Sequence, residues 1–166
     1  MIVVVMGVSG AGKSTIGKLL AERLGVPFLD ADEYHPPENV AKMAAGTPLN
    51  DADRWPWLEL LNGKLIEQKN AVLACSALKE VYRQRLSQGI ADCRFVYLRG
   101  SLELIRSRLA ERKHRYMPAS LLESQFATIE PPSDAIAIDI SAGIADCVEA
   151  ISLALAARPP ARQLRE

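Results

Sequence analysis

A glycine-rich segment near the start of the chain combines the residue types that bind phosphate. It matches the pattern G-x-x-x-x-G-K-[ST] and reads Gly7-Val8-Ser9-Gly10-Ala11-Gly12-Lys13-Ser14-Thr15. Glycines let the backbone approach phosphate oxygens closely, and the N–H groups of such a loop and of the following helix attract anions. Lys13 adds a full positive charge, and the Ser14 hydroxyl is a typical ligand for Mg²⁺. The pattern therefore predicts a site for a nucleotide polyphosphate with bound Mg²⁺.

Two carboxylates follow the next short apolar stretch, residues 27–29. Residues two apart on a strand point the same way, so Asp30 and Asp32 would both face the transferred phosphoryl group if strand geometry continued. We expect Asp30 to belong to the Mg²⁺ shell and Asp32 to orient the group that accepts the phosphoryl. The alternative interpretation is a helix cap and a solvated loop acid.

A basic segment later in the chain favours a kinase over a hydrolase. Residues 99–115 contain six Lys and Arg against two acids, a local net charge of +4 in a chain of net charge zero. A kinase closes a mobile segment over its nucleotide, and concentrated positive charge suits a polyphosphate. Arg108 and Arg112 lie one helical turn apart and would share a face. A solvated, basic helix end is the alternative.

Other basic residues indicate the chemistry of the acceptor. Lys79 and Arg83 are four residues apart and would share a helix face with Tyr82, where they could bind an anion. Arg54 stands among acids that could simply pair with it. Together these residues suggest a small polar carboxylate whose hydroxyl meets Asp32.

The elements that would position these residues alternate between strands and helices. A β-branched run over 2–6 predicts a central strand, and Gly25 ends the helix that follows the phosphate loop. Further strands are expected at 27–29, 71–75, 94–98 and 135–140, with helices at 37–45, 53–68, 78–86, 102–112 and 144–155. This alternation predicts a doubly wound α/β fold with a parallel sheet.

Length and composition agree with one enzyme domain. The chain has 166 residues, with 20 Lys+Arg against 20 Asp+Glu, so no overall field attracts nucleic acid or an anionic membrane. No apolar run approaches the length of a membrane span, and the three cysteines form no zinc or disulfide pattern. We expect a cytoplasmic protein with a single domain over residues 1–157 and a frayed tail over 158–166.

Several segments together resemble the gluconokinases, which are P-loop kinases similar to shikimate kinases and nucleoside monophosphate kinases. The resemblance spans nearly the whole chain and rests on the phosphate loop, 28–32 with His35-Pro36, 39–43, 46–58, 75–79 with Tyr82-Arg83, 124–126 and Glu130-Pro131.

This resemblance implies ATP- and Mg²⁺-dependent phosphorylation of D-gluconate to 6-phospho-D-gluconate. It also implies a five-stranded parallel sheet of order 2-3-1-4-5, a helical lid over about 108–128, and a homodimer. It implies that the catalytic residues are Lys13, Asp32 and Arg112. ATP would bind the phosphate loop, Arg108 and Arg112. The sugar acid would bind Asp32, Arg54, Lys79 and Arg83. We also expect His35 to contact the substrate, with a hydrogen-bonding or surface role as the alternative.

Two other functions remain open from the residues. A shikimate-type kinase shares the loop, the paired acids and the lid, although the long segment 46–58 argues against it. A nucleotide-binding switch without turnover is the alternative outside the enzymes.

Overall fold

The computed structural model describes residues 1–111 and 119–158. Its centre is a five-stranded sheet of order β2-β3-β1-β4-β5 in which every neighbouring pair is parallel. The expected fold class and the strand order 2-3-1-4-5 are confirmed. The strands are β1 Ile2–Met6, β2 Phe28–Asp30, β3 Ala71–Ala74, β4 Cys93–Arg99 and β5 Ile136–Asp139.

Helices connect the strands and cover the sheet. They are α1 Lys13–Leu24, α2 Pro37–Ala44, α3 Asp51–Gln68, α4 Glu80–Ser87, α5 Leu102–Glu111, α6 Ala119–Thr128 and α7 Ile144–Ala157, with a short 3₁₀ helix at Ala31–Tyr34. None of the helices in the described ranges is long and apolar enough to cross a membrane.

The central strand β1 sets the position of the site. All five of its residues are buried, as expected for a parallel strand covered on both faces. Val5 is in register with Ala74 of β3, and Ala74 is in register with Asp30 of β2. The segments that follow these three strands therefore leave the same carboxyl edge of the sheet, where ligands bind in open α/β folds.

Helix α3 begins two residues earlier than its apolar spacing predicts. Asn50 Oδ1 accepts the N–H of Asp53 at 2.8 Å, and Asp53 Oδ2 accepts the N–H of Asn50 at 2.9 Å. This reciprocal capping box satisfies helix donors before the apolar periodicity begins. Trp57, Leu58 and Leu61 are buried below it and belong to the hydrophobic core.

Three local features differ from the expectations. Strand β2 ends at Asp30, and the chain turns into the 3₁₀ helix instead of continuing as a strand. Helix α4 begins at Glu80, so the preceding residues form a loop. Helix α6, which buries Leu121 and Leu122, lies inside the range expected for a helical lid, but its bounds were not predicted. Residues 112–118 of that range lie outside the described residues.

Candidate active site

The phosphate loop joins β1 to the N-terminus of α1, as its sequence predicts. Gly10 and Gly12 have φ values of +83° and +95°, which L side chains rarely adopt. A Cβ at Gly10 would also lie 2.8 Å from Leu109 Cγ. Lys13, the first residue of α1, donates from Nζ to the carbonyl oxygen of Val8 at 2.9 Å. The loop therefore presents backbone N–H groups, a helix N-terminus and a lysine together.

Ser14 and Asp30 meet beside this loop. Ser14 Oγ donates to Asp30 Oδ2 at 2.7 Å, and Asp30 Oδ1 accepts the N–H of Asp32 at 3.0 Å. Among residues 1–111 and 119–158, no three His, Cys, Asp or Glu side chains cluster as metal ligands. A hydroxyl and a carboxylate are nevertheless hard oxygen donors that fit Mg²⁺, which usually takes its other ligands from water and phosphate.

Asp32 lies on the 3₁₀ helix. The strand does not continue to this residue, so the two carboxylates are not placed by alternation along a strand. The Ala31 carbonyl accepts a hydrogen bond of 2.8 Å from Trp57 Nε1 on α3, which holds the turn in place. The side chain of Asp32 remains 61% exposed. Asp32 thus reaches the site from a turn that Asp30 caps and Trp57 anchors.

His35 is buried behind Asp32 and is only 3% exposed. Its ring stacks on Trp57 with centroids 4.0 Å apart, and burial lowers its pKa below the usual 6.5. Asn39 Nδ2 donates to the Asp53 carbonyl at 2.9 Å and lies 3.3 Å from His35 Nδ1. Since that amide nitrogen is a donor, Nδ1 accepts and the proton resides on Nε2, 4.0 Å from Asp32 Oδ1.

Four polar side chains form an acceptor-side cluster, which consists of Asp51, Arg54, Lys79 and Tyr82. Asp51 Oδ1 accepts hydrogen bonds from the Tyr82 hydroxyl and, at 3.2 Å, from Lys79 Nζ. These bonds lower the pKa of Asp51, the one from Tyr82 most. Arg54 Nη1 donates to the Leu49 carbonyl at 2.6 Å and to the Tyr82 hydroxyl at 3.1 Å. Sequence reasoning placed Tyr82 beside the anion site but assigned no role there to Asp51, whose partners Lys79 and Tyr82 are about thirty residues away.

Arg83 does not join this cluster. Its buried guanidinium donates from Nη1 to the Ala77 and Leu78 carbonyls at 2.8 and 3.2 Å and from Nη2 to the Glu130 carbonyl at 2.8 Å. Neighbouring helix positions are rotated by about 100°, so Arg83 points away from the side that Tyr82 occupies. It holds the loop before α4, where Ala77 has an unusual φ of +45°. Arg83 is not among the residues that line the cavity beside Lys79, and its direct contact with the substrate stays a prediction.

The structure describes only one of the two arginines assigned to the nucleotide, Arg108. Arg108 donates from Nη2 to the Ile140 carbonyl, which places its guanidinium beside the segment between β5 and α7. It is not among the residues that line the cavity around Lys13 and Asp32, and its assignment to the nucleotide stays a prediction. Arg112 lies outside the described residues, so its assignment stays a prediction.

One cavity of about 910 Å³ connects the phosphate loop with the acceptor-side cluster. Six residues important to the chemistry line it: Ser9, Lys13, Asp32, His35, Arg54 and Lys79. Helix α6 contributes Leu121, Ser124, Gln125 and Thr128 to its wall. The fold thus brings the lysine of the phosphate loop, the Asp32 carboxylate and two further cations to one cavity.

Comparisons with known proteins agree with this arrangement. A family model described as Shikimate kinase matches residues 9–127. A probable gluconokinase of Xenopus tropicalis is 47% identical over 173 aligned residues, with 91% of each chain covered. A gluconokinase of Gluconobacter oxydans (strain 621H) is 50% identical over 135 residues, covering 79% of this chain and 76% of that relative.

A solved structure extends the similarity to three dimensions. The crystal structure of a gluconokinase from Sinorhizobium meliloti 1021 matches with a TM-score of 0.87 at 42% identity, covering 93% of this chain and 90% of the other. Such identity over most of both chains, together with the phosphate loop and its cavity, shows that the chain belongs to the gluconokinase family of P-loop kinases.

Proposed function

We propose that the protein transfers the γ-phosphoryl group of ATP to the terminal hydroxyl of D-gluconate, giving ADP and 6-phospho-D-gluconate. The observation that supports this most is the shared cavity, in which Lys13 and Asp32 lie in the same space as Arg54 and Lys79. Such a cavity can hold a phosphate donor and an acidic acceptor together. The relatives described as gluconokinases identify the acceptor as gluconate.

The phosphate loop binds the nucleotide in this proposal. Its N–H groups cradle the phosphates, and Lys13 stabilises the charge on the transferring oxygens. Ser14 and Asp30, hydrogen-bonded at 2.7 Å, hold Mg²⁺. When bound, Mg²⁺ neutralises charge on the β- and γ-phosphates. Contacts of Arg108 and Arg112 with the nucleotide rest on the family resemblance.

Asp32 orients the acceptor hydroxyl and takes its proton late in the reaction. Phosphoryl transfer passes through a loose transition state, so the hydroxyl needs little prior deprotonation. The exposed carboxylate on its braced 3₁₀ helix suits this task, because it faces the cavity from a fixed backbone. His35 lines the same cavity, with its Nε2 proton on the side of Asp32.

Arg54 and Lys79 bind the carboxylate of the sugar acid. Both described hydrogen bonds of Arg54 use Nη1, and a guanidinium has three further N–H groups on Nη2 and Nε. Two cations beside the single anion of Asp51 leave a net charge of +1, which suits a monocarboxylate. Tyr82 and Asp51 hold both cations in position before the substrate arrives.

Other parts of the proposal rest on the sequence and the resemblance alone. They are a cytoplasmic homodimer, one kinase domain over residues 1–157, a lid over about 108–128 and a tail over 158–166. Analytical ultracentrifugation tests the dimer, and sedimentation as a monomer at micromolar concentration would remove it from the proposal.

Release of ADP tests the reaction. The protein is mixed with Mg²⁺-ATP and, separately, D-gluconate, shikimate, other sugar acids or nucleoside monophosphates. We expect rapid ADP release with gluconate and little with the others. Preference for shikimate would instead indicate a shikimate kinase, the family whose model also matches this chain. Nucleotide binding without turnover on any acceptor would favour a switch.

A further inference from the structure

Helix α6 contacts the phosphate loop through one glutamine. The backbone N–H of Ser9 donates to Gln125 Oε1 at 2.7 Å, and Gln125 Nε2 donates to Ser9 Oγ at 3.0 Å. The two residues are 116 positions apart in the sequence. Because a backbone N–H can only donate, these two bonds determine which end of the amide faces the loop. Gln125 is therefore held in one orientation against Ser9.

The peptide group that Gln125 binds is the same one that Lys13 binds. The carbonyl of Val8 and the N–H of Ser9 belong to a single planar unit. Lys13 Nζ donates to its oxygen at 2.9 Å, and its nitrogen donates to Gln125 at 2.7 Å. Hydrogen bonds at opposite ends of a peptide polarise one another and strengthen each other. The amide of Gln125 is thus linked to the ammonium of Lys13 through one rigid group.

We propose that Gln125 is a positioning residue for phosphoryl transfer, which sets the place of Lys13 by holding the Val8–Ser9 peptide. This inference rests on the proposed function. Ser9, Lys13 and Gln125 all line the cavity where donor and acceptor would meet. A rotated Val8–Ser9 peptide would move the carbonyl that accepts the hydrogen bond from Lys13 and would thereby shift the ammonium relative to the phosphates. Correct placement of such groups matters at the scale of 1 Å.

Steady-state kinetics of Gln125→Ala test the role. We expect kcat to fall by about 10- to 100-fold, the scale of a misplaced catalytic group, and the KM for ATP and for gluconate to change by less than about threefold. Glu123→Gln is the matched control, since Glu123 lies on the same helix, is exposed and contacts Arg106 at 3.0 Å. It should leave kcat unchanged. Gln125→Asn has a side chain one methylene too short to make both bonds, so it should also lower kcat. It serves as the test variant if Gln125→Ala does not fold.

A double-mutant cycle separates positioning of Lys13 from general damage. In a Lys13→Arg background, Gln125→Ala should slow kcat by less than about threefold, because contacts that act together are not additive. The inference would be overturned if Gln125→Ala lowered kcat by the same factor in the Lys13→Arg background as in wild type. It would also be overturned if a folded Gln125 variant kept a kcat within twofold of wild type. Either result would leave the proposed reaction intact. Wild-type protein without gluconate-dependent ADP release would instead overturn the proposed function and this inference with it.

Discussion

Replacing Arg83 with alanine should cost the fold several kcal/mol, because its buried guanidinium joins carbonyl oxygens from two segments. Leu78 O also accepts the N–H of Glu130 at 2.8 Å, so it keeps a partner in the variant. The loss falls on the carbonyls of Ala77 and Glu130, each bonded to Arg83 at 2.8 Å. At about 1.5–2 kcal/mol for each bond from a charged donor, we expect the free energy of unfolding to fall by about 3–4 kcal/mol.

Urea denaturation followed by circular dichroism measures this loss. Arg85→Ala is the matched control on the same helix, since Arg85 only approaches the exposed Glu59 at 3.8 Å. Removing such a surface pair should change stability by less than about 1 kcal/mol. The KM for gluconate should also rise in Arg83→Ala, because the loop that leads to Lys79 loses its support. Stability equal to that of Arg85→Ala, combined with weaker gluconate binding, would refute this reasoning and return Arg83 to direct substrate contact.

Three further outcomes are expected. Lys13→Met should lower ADP formation by several orders of magnitude with an unchanged melting temperature, whereas Lys18→Met on the exposed side of α1 should stay active. Asp32→Asn should lower kcat by roughly 10²-fold with little change in ATP affinity. Asp30→Asn should instead raise the Mg²⁺ concentration needed for activity. The opposite pattern would exchange the roles of the two carboxylates. Burial lowers the pKa of His35 below 6.5, so as pH falls the unfolded chain binds a proton before the folded protein does. The free energy of unfolding should therefore decrease as pH drops from 6.5 through the pKa of the folded state. Urea titrations between pH 7 and 5 should show a smaller decrease for His35→Gln.

Features formed by residues near one another were predictable. The phosphate loop carries its glycines, its lysine and its helix start within nine consecutive residues, and Gly25 ends α1 with a φ of +67° where the apolar spacing stops. The all-buried strand β1 follows from its β-branched run. In these cases the determining contacts lie within a few residues, so the residue types contain the needed information.

The direction of side chains near the acceptor was less predictable. Lys79 and Arg83 share the spacing of one helical turn, yet Lys79 precedes the helix and Arg83 turns toward Glu130. Asp32 lies on a turn whose Ala31 carbonyl is bound by Trp57, 26 positions after Ala31. Spacing along a helix or strand predicts a shared face only where that element continues, and distant partners decided where these elements end.

The sequence by itself determined the α/β class, the phosphate loop and most of the charged groups that meet in the cavity, because these depend on local patterns and on motifs the family shares. Only the tertiary structure decided that Asp51 binds Lys79 and Tyr82, that the Arg83 guanidinium binds the Glu130 carbonyl, and that Gln125 reaches Ser9. Each of those contacts joins residues separated by secondary-structure elements. Their hydrogen bonds form only after the packing of the sheet and helices has brought the partners within about 3 Å.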